Sequence, residues 1–386
     1  MPDDFLPIAK PDLDDADIAE VVDTLRSGWL TYGPKTQRFE EEFKQTAGAE
    51  YAVAVNSCTA GLHLALLAAG VGPGDEVITT PLTFAATANV VLHAGATPVL
   101  ADICDDDLTI DPVEIERRIT PRTRALMPVH YGGHPSRMDE IRDIAQRHNL
   151  LVIEDAAHCA GSAYKDRPIG SHGDATVFSF YPIKNMTTGQ GGMVTTNDSR
   201  LAAEVASLRN HGLDSNAWKR YSADAGTGFY TMSAPGFNYG MFDLLGAIGL
   251  GQLKRLPEFN ARRAELAALY TKRFESVEAV QRPTVSPDVT TNWHLYVIRL
   301  RDSAGIPRDR FRQALHERGI GTSVHYLPVH YHPYYRERFG FQKGDYPVAE
   351  AAFERIVSLP LFPAMSDSDV DRVVSAVEAI IEDKDA

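Results

Sequence analysis

Cysteine is scarce in this sequence. The three cysteines among 386 residues, Cys58, Cys104 and Cys159, lie far apart and form no C-x-x-C pair. Disulfide frameworks and cysteine-rich zinc sites both require more cysteines or closer spacing. The pattern therefore argues against both and predicts a protein of a reducing compartment, the cytoplasm.

Long apolar runs and an excess of positive charge are also missing. No stretch approaches the roughly 18 consecutive apolar residues of a membrane-spanning helix, and the N-terminal segment lacks the basic and apolar regions of an export signal. The chain carries 38 Lys and Arg against 52 Asp and Glu, a formal net charge of -14. Such an acidic chain has no general affinity for nucleic acid or anionic lipid, so we expect neither nucleic acid nor membrane as a partner.

The hydrophobic pattern alternates between strand and helix over the first half of the chain. Predicted strands such as YAVAVNS, DEVITTP and TPVLADI are separated by predicted helices such as TAGLHLALLAAG and FAATANVVLHAG. The rhythm continues through RALMPVHY, LLVIEDAA, DATVFSF and GGMVTTN. This alternation predicts an α/β fold with a mostly parallel sheet of about seven strands between helices.

A long helical pattern, DLLGAIGLGQLKRLPEFNARRAELAALYTKRFESV, separates this part from the remainder. After it come a predicted strand NWHLYVIRL, a helix PRDRFRQALHERG and a strand IGTSVHYLP. We therefore predict a large domain over residues 1–250, including the N-terminal segment, and a smaller C-terminal α+β domain over residues 251–386.

Polar side chains follow several predicted strands at the point where each strand ends. Ser57, Thr59 and Ala60 lie where the first strand turns into a helix. The free N–H groups of a first helical turn can bind a phosphate, although Ser57 is equally well explained as a helix cap. Because ligands of α/β sheets bind at the carboxyl ends of the strands, these residues are candidates for a binding site.

Two further strand ends carry ionisable groups. The strand VIEDAAH delivers Asp155 and His158, and the strand of FSFYPIK delivers Ser179 and then Lys184. Taken singly, Asp155 is as well explained by a cap or an ion pair, and Lys184 by an exposed loop. Together, a lysine, a carboxylate and a phosphate site are what pyridoxal phosphate requires: an amine for the Schiff base, an anion for the pyridinium nitrogen and an anchor for the phosphate. Phe84 follows another strand, where it can stack on the cofactor ring.

Several longer segments resemble a known family. NSCTAGLHLAL, ITTPLTFAATANVVLHAGATPVLADI and VIEDAAHCAGSAYKDRPIGSHGDATVFSFYPIKNMTTGQGGMVTTND are similar to the DegT/StrS-type nucleotide-sugar aminotransferases, which are fold-type I pyridoxal phosphate enzymes. The similarity runs from SGWLTYGPKTQRFEEEF to SLPLFPAMSDSDVDRVV. It is greatest toward C-4 aminotransferases of the UDP-4-amino-4-deoxy-L-arabinose type.

The resemblance implies a role for each candidate residue. Lys184 matches the Schiff-base lysine and Asp155 the pyridinium partner, while His158 matches a residue near the cofactor's phenolic oxygen. Phe84 matches the stacking ring. The implied phosphate ligands are Ser57, Thr59, Ala60 and Ser179.

One segment, GFNYGMFD, departs from the family pattern G-x-N-x-R-x-x-D. Asn238 is retained, but Gly240 stands at the position of the usual arginine. In relatives the Asn and Arg reach into a neighbouring subunit's active site. The resemblance therefore implies a homodimer with shared sites, in which Asn238 contacts the cofactor of the partner chain.

The C-terminal segment SVHYLPVHYHPYYRERFG gathers histidines and tyrosines. The matching segment of relatives lies near the sugar-nucleotide pocket, which makes His325, Tyr331 and Tyr334 candidates for substrate contact. A metal site at His325, His330 and His332 is the alternative; no carboxylate lies at ligand spacing, and we expect no metal.

The leading interpretation is an aminotransferase that moves an amino group from L-glutamate to the C-4 keto group of a nucleotide-linked 4-keto-sugar by a ping-pong Schiff-base mechanism. A C-3 keto-sugar or cyclitol aminotransferase is the alternative within the family. A sugar dehydratase of the same fold carries histidine in place of the lysine, which Lys184 argues against. An NAD-dependent dehydrogenase needs G-x-G-x-x-G after the first strand, and VNSCTAGLHLA lacks it. A binding protein without catalysis is disfavoured by the retained Lys184 and Asp155.

Overall fold

The computed structural model describes residues 5–213 and 231–383. Its largest sheet has seven strands in the order β1-β9-β8-β5-β4-β2-β3. Only β9 runs against the others, because it pairs antiparallel with both β1 and β8 while the remaining pairs are parallel. The strands of this sheet are β1 (Tyr51–Val55), β2 (Glu76–Thr79), β3 (Thr97–Leu100), β4 (Thr123–Met127), β5 (Leu151–Asp155), β8 (Ala175–Ser179) and β9 (Gly192–Thr196).

Helices cover both faces of this sheet. They are α1 (Asp15–Ser27), α2 (Pro34–Ala47), α3 (Cys58–Ala68), α4 (Ala85–His93), α5 (Pro112–Arg118), α6 (Met138–His148), α7 (Ser199–Leu208) and α8 (Asp243–Arg273). One buried cluster joins α2, α6 and α8 to one face, and a second joins α3, α4 and α7 to the other. Along β5, Val152 belongs to the first cluster and Ile153 to the second, so successive side chains point to opposite faces. The predicted α/β fold with a mostly parallel seven-stranded sheet is confirmed.

The C-terminal part builds its own core. An antiparallel sheet of β10 (Val280–Gln281), β12 (Tyr296–Leu300) and β13 (Ile356–Leu359) packs with α9 (Arg308–Glu317) and α12 (Asp367–Glu382). The helices α10 (Pro333–Phe339) and α11 (Pro347–Arg355) lie between them in sequence. Three short strands, β6 (Ala163–Tyr164), β7 (Arg167–Pro168) and β11 (Val289–Thr290), form a third sheet.

Helix α8 runs through both parts. Its residues Leu250 and Leu256 lie in a core of the large sheet, while Leu266 and Tyr270 lie in the C-terminal core. The predicted boundary at residue 250 therefore falls inside one continuous helix.

The N-terminal residues contact the C-terminal part. Leu6 bridges to Ile320 in parallel and is buried in the C-terminal core. The predicted assignment placed this segment with the large domain, but its backbone hydrogen bonds run to Gly319 and Gly321.

The predicted strand at residues 320–328 does not form. Only isolated bridges occur there, from Ile320 to Leu6 and from Ser323 to Ser358. The alternating apolar pattern instead belongs to a segment that leaves the sheet and carries His325 and Tyr326 to a cavity. Among the described residues, no helix is both long and apolar enough to cross a membrane.

Candidate active site

A cavity of about 400 Å³ lies where the parallel strands of the large sheet end. Its walls come from the segments after β1, β2, β5 and β8 and from the segment after α9. Among the predicted site residues, the structure places eight in these walls: Ser57, Thr59, Phe84, Asp155, His158, Ser179, Lys184 and His325.

One end of the cavity is the start of α3. Ser57 is the N-cap of this helix, and its Oγ accepts a hydrogen bond from the Ala60 N–H at 3.1 Å. Thus Ser57 does cap the helix, and Ala60 contributes its N–H to the cap. The remaining N–H groups of the first turn, with the hydroxyls of Thr59 and Ser179 at the cavity wall, form a site suited to a phosphate.

Asp155 is the last residue of β5, and it is buried in the wall of the cavity. Its Oδ2 accepts a hydrogen bond from Thr87 Oγ1 at 2.8 Å, and its Oδ1 accepts one from the Ala157 N–H at 3.1 Å. Burial raises the pKa of Asp155, and these hydrogen bonds with the charge of Lys184 offset part of that effect. A buried carboxylate that lacks an adjacent cation is suited to receive one, such as a protonated ring nitrogen.

Lys184 lies in the loop between β8 and β9, with a half-buried side chain at the cavity wall. Its backbone N–H donates to the Tyr181 carbonyl at 2.9 Å. Burial lowers the pKa of Lys184 to about 8, against the opposing attraction of Cys58, Asp155 and Cys159. An amine with this pKa is partly unprotonated near neutral pH, which nucleophilic attack on a carbonyl carbon requires.

His158 is held by hydrogen bonds at both ring nitrogens. Its Nδ1 accepts from the Gly132 N–H at 3.2 Å, so the neutral ring carries its proton on Nε2, which lies 2.9 Å from Tyr326 Oη. Burial lowers the pKa of His158 well below its ordinary value, and Lys184 adds to this effect. His158 is therefore an uncharged hydrogen-bonding group of the cavity.

Phe84 and His325 also line the cavity. Phe84 is the N-cap residue of α4 and is 62% exposed, and its ring centroid lies 5.9 Å from that of Tyr326. His325 is buried, with Nδ1 at 2.7 Å from Ser358 Oγ. Burial and the nearby Lys184 charge lower the pKa of His325 to about 4, so its imidazole is neutral.

The two tyrosine candidates lie elsewhere. Tyr334 lines a separate open groove next to α4, together with Asn89 and His332. Tyr331 packs its ring against His330 and Phe353 and lines neither space.

The three histidines considered for a metal site do not share one site. His330 Nε2 lies 3.0 Å from Glu350 Oε1, and His325 Nδ1 lies 2.7 Å from Ser358 Oγ. His332 lines the open groove with Tyr334, whereas His325 lines the cavity.

Asn238 does not line the cavity of its own chain. Its main chain pairs with Asn210, and its carbonyl accepts from Asn56 Nδ2 at 3.4 Å, so it lies next to the residue that precedes the N-cap of α3. Among the described residues other than its chain neighbours, no atom lies within 4 Å of where a Cβ of Gly240 would stand, so a side chain at this position would meet open space.

Sequence reasoning missed Thr87 and Tyr326. Thr87 lies one helical turn after Phe84, a spacing that places both at the start of α4 and was a usable signal. Tyr326 follows His325 directly, but its contact with His158 joins residues 168 apart in sequence, which no local pattern reveals.

Comparison with known proteins agrees with this geometry. Residues 11–378 match the model of the DegT/DnrJ/EryC1/StrS aminotransferase family. The chain is 51% identical over 383 residues to the spore coat polysaccharide biosynthesis protein SpsC of Bacillus subtilis, covering 99% of this chain and 98% of that one.

Solved structures superpose over nearly the whole chain. The PLP-form of Spr1654 from Streptococcus pneumoniae gives a TM-score of 0.91 at 32% identity, covering 99% of this chain and 100% of that one. DesI, solved in the presence of its TDP-sugar product, gives a TM-score of 0.88 at 32% identity, covering 99% of this chain and 94% of that one. The predictions of the family and of an enzyme are confirmed: the chain belongs to the DegT/DnrJ/EryC1/StrS aminotransferase family.

Proposed function

We propose that this enzyme transfers an amino group from L-glutamate to the C-4 keto group of a nucleotide-linked 4-keto-sugar, in two half-reactions of ping-pong order. Its cofactor is pyridoxal phosphate, in agreement with the sequence prediction and with the PLP-form and PMP-form structures of Spr1654. When bound, this cofactor withdraws electrons from the substrate carbon and carries the amino group between the two substrates.

One observation carries the proposal. A single cavity combines an amine of lowered pKa, a buried carboxylate without an adjacent cation, and the free start of a helix. These three groups fit the carbonyl carbon, the ring nitrogen and the phosphate of pyridoxal phosphate.

Asp155 and Lys184 have separate roles in this reaction. Asp155 keeps a proton on the ring nitrogen by its negative charge, in a buried site where this interaction is strong. Lys184 Nζ removes the proton from Cα of the amino donor and returns it on the way to product, a task that its pKa of about 8 suits.

The acceptor is assigned from chemistry and from relatives. SpsC is named for polysaccharide biosynthesis, and DesI was solved with a TDP-sugar product. The neutral His325 imidazole at the cavity wall is a suitable partner for sugar hydroxyls. The open groove at Tyr334, next to α4, offers an aromatic surface beyond the cavity.

Product analysis tests the assignment. UDP-, dTDP- and GDP-linked 4-keto-sugars are each incubated with the enzyme and glutamate, and the amino sugars are identified by mass spectrometry and NMR. We expect amination at C-4, with no product from the Lys184→Ala variant. Amination only of 3-keto-sugars or of cyclitols would replace this proposal by the corresponding alternative.

We also propose a homodimer in which Asn238 of each chain serves the phosphate site of the other. The support is its position next to Asn56, close to the start of α3 but outside the wall of the cavity of its own chain. Exposed apolar residues in the same region, Phe242 and Met232, are suited to a subunit contact.

Mixing two inactive variants tests this arrangement. Asn238→Ala chains are combined with Lys184→Ala chains under conditions where subunits exchange. In a mixed dimer with shared sites, one site carries both defects and the other carries neither, so activity returns. A fully active monomer in sedimentation, or no recovery despite shown exchange, would contradict it.

A further inference from the structure

A hydrogen-bonded set of polar side chains begins at Asn185, the residue after Lys184; Asn185, Asn292 and His294 are buried and Asn260 is half-buried. Asn185 donates from Nδ2 to Asn260 Oδ1 and to the Asn292 carbonyl, both at 2.8 Å. Its Oδ1 lies 3.0 Å from Nδ1 of His294. Since both amide hydrogens of Asn185 are committed, its oxygen is the acceptor and His294 the donor.

The same set holds the segment that carries His158. Asn292 donates from Nδ2 to the carbonyls of His158 and Ala160, both at 2.9 Å. Asn260 donates to the Ala160 carbonyl as well, at 3.1 Å. The His294 ring lies against the His158 ring, with centroids 4.4 Å apart.

Two glycines make room for these amides. A Cβ at Gly133 would lie 2.1 Å from Asn292 Oδ1, and a Cβ at Gly161 would lie 2.5 Å from Asn260 Nδ2. Both glycines have positive φ, of +101° and +82°. The local backbone is therefore compatible with the network only where a side chain is absent.

We propose that Asn185, Asn260, Asn292 and His294 form one positioning network that fixes the backbone of Lys184 relative to that of His158. The four residues come from the lysine loop, from α8 and from the link between β11 and β12, so they join three distant segments. They act through Lys184 and His158, and the network rests on the role of Lys184 proposed above.

The physical reason is the irregular structure of the lysine loop. Lys184 follows the end of β8 and has no strand neighbour of its own, so its main chain is held by one turn hydrogen bond to Tyr181 and by the side chain of its neighbour Asn185. A proton-transfer group must remain within hydrogen-bond reach of its target, and shifts of about 1 Å reduce rates strongly. The buried Asn185 and Asn292 amides, each of which donates two hydrogen bonds from Nδ2, supply such rigidity.

The test uses the chemistry of Lys184 itself. In the cofactor-free full-length protein, the pH dependence of Lys184 acetylation by acetic anhydride is followed by mass spectrometry. Wild type is expected to titrate at about 8. In Asn185→Ala and His294→Leu the loosened loop admits water, and the midpoint is expected to rise by about one pH unit or more, because desolvation is relieved.

A second readout follows cofactor attachment. Borohydride trapping of pyridoxal phosphate on Lys184 is expected to fall severalfold in both variants, while cofactor retention through the phosphate site persists. His294→Asn keeps a donor for Asn185 Oδ1 and is expected to restore both readouts toward wild type. Because neither readout uses a sugar or an amino donor, failure of the substrate assignment leaves them unaffected.

Tyr270→Phe provides the structural control, since it removes a buried hydrogen bond to Pro360 in the C-terminal core without touching the cavity. A purely structural role would mean that Asn185→Ala and His294→Leu lower only the thermal stability, as this control is expected to do. If below the unfolding transition their Lys184 then has the acetylation midpoint and the borohydride trapping of wild type, the positioning role is wrong. The His294 pair keeps the test decisive if Asn185→Ala does not fold.

Discussion

At the end of β5, two adjacent carboxylates lie on opposite faces of the sheet, and their pKa values are shifted in opposite directions. Asp155 points to the cavity, toward α3 and α4, where it accepts hydrogen bonds from Thr87 and Ala157 but has no adjacent cation. Glu154 points to the other face and is fully buried. Burial alone would raise its pKa, but hydrogen bonds from His130 and Thr176 lower the pKa of Glu154 below its ordinary value.

The partners of Glu154 explain the difference. Its Oε2 lies 2.9 Å from His130 Nε2, and its Oε1 accepts from Thr176 Oγ1 at 2.6 Å and from the Gly173 N–H at 2.7 Å. His130 in turn accepts at Nδ1 from the Ser136 N–H, so its proton is on Nε2 and is donated to Glu154. The Glu154 carboxylate is satisfied within the protein.

This contrast separates a structural carboxylate from a functional one more clearly than burial does. Both side chains are buried, yet only the pKa of Asp155 is raised. Glu154 accepts three hydrogen bonds inside the protein, whereas Asp155 accepts two and lines a cavity, so Asp155 is the candidate for binding a cation that comes from outside the chain. Variants on the two faces should therefore differ in which property they lose.

The largest expected effect is on the cavity face. Lys184→Ala should lower turnover by about 10⁴-fold or more, the upper range for a positioned proton-transfer group, and should abolish covalent attachment of the cofactor. Lys165→Ala is the matched control, since Lys165 lies on the surface and pairs with Asp139. A borohydride adduct mapped to another lysine would contradict the assignment.

Asp155→Asn should reduce turnover at least about 100-fold, equivalent to about 2.7 kcal/mol of transition-state stabilisation. The amide keeps the shape and can still meet Thr87, but it has no charge to hold a proton on the ring nitrogen. Steady-state rates with saturating cofactor measure the effect. A near-wild-type rate would remove Asp155 from the mechanism.

On the other face, Glu154→Gln should cost stability instead. In the variant, the NH₂ group of Gln replaces a carboxylate oxygen that accepts hydrogen bonds from His130, or from Thr176 and Gly173. Two buried donors then face each other, which lowers the free energy of unfolding by about 3 kcal/mol. Below its unfolding transition the variant should turn over within about threefold of wild type, since the substitution is nearly isosteric, lies on the face away from the cavity and leaves Asp155 with its hydrogen bonds from Thr87 and Ala157. Denaturant unfolding and initial rates measure the two properties; a catalytic loss as large as that of Asp155→Asn would erase the contrast between the faces.

The smallest effect is a difference in pH dependence in the cofactor-free protein. The raised pKa of Asp155, whose ordinary value is 3.8, means that its contribution to stability is present at low pH and is lost as pH rises through the folded pKa. The lowered pKa of Glu154, whose ordinary value is 4.5, means that its contribution is present above that value and is lost as pH falls through the folded pKa.

Asp155→Asn should therefore depart from wild type above about pH 3.8 and Glu154→Gln below about pH 4.5, by about 1.4 kcal/mol for each unit of pKa shift. Asp155→Asn gains stability relative to wild type as pH rises, and Glu154→Gln loses it. Denaturant midpoints at several pH values measure both. Shifts of the two variants in the same direction would show that the carboxylates do not differ as described.

The large sheet and its strand-end residues could be predicted because regular alternation fixes where strands stop. Ser57, Asp155 and Lys184 each follow an apolar strand, and parallel strands end at one edge. The structure brings all three to one cavity. Their cofactor roles stay predictions, made from residue type and from the family resemblance.

The remainder could not be predicted because it depends on contacts distant in sequence. The strand predicted at residues 320–328 does not form, because Tyr326 is hydrogen-bonded to His158 and His325 to Ser358. The hydrophobic pattern of the sequence does not indicate either contact. The amides behind Lys184 are also invisible locally, because Asn292 lies 107 residues from Asn185. The side of the cavity built from regular elements was predictable, and the side built from irregular segments was not.

The pairing of the N-terminal residues with the C-terminal part has a consequence for biosynthesis. Leu6 exchanges backbone hydrogen bonds with Gly319 and Gly321, at 2.9 Å and 2.8 Å, and Ile8 accepts one from Leu361. The segment around Leu6 is translated long before Gly319, Gly321 and Leu361, so these contacts can form only after most of the residues between them have been made. The C-terminal core is thus completed by a segment distant in sequence, and a fragment that starts after Leu6 would leave that core with an open, apolar side.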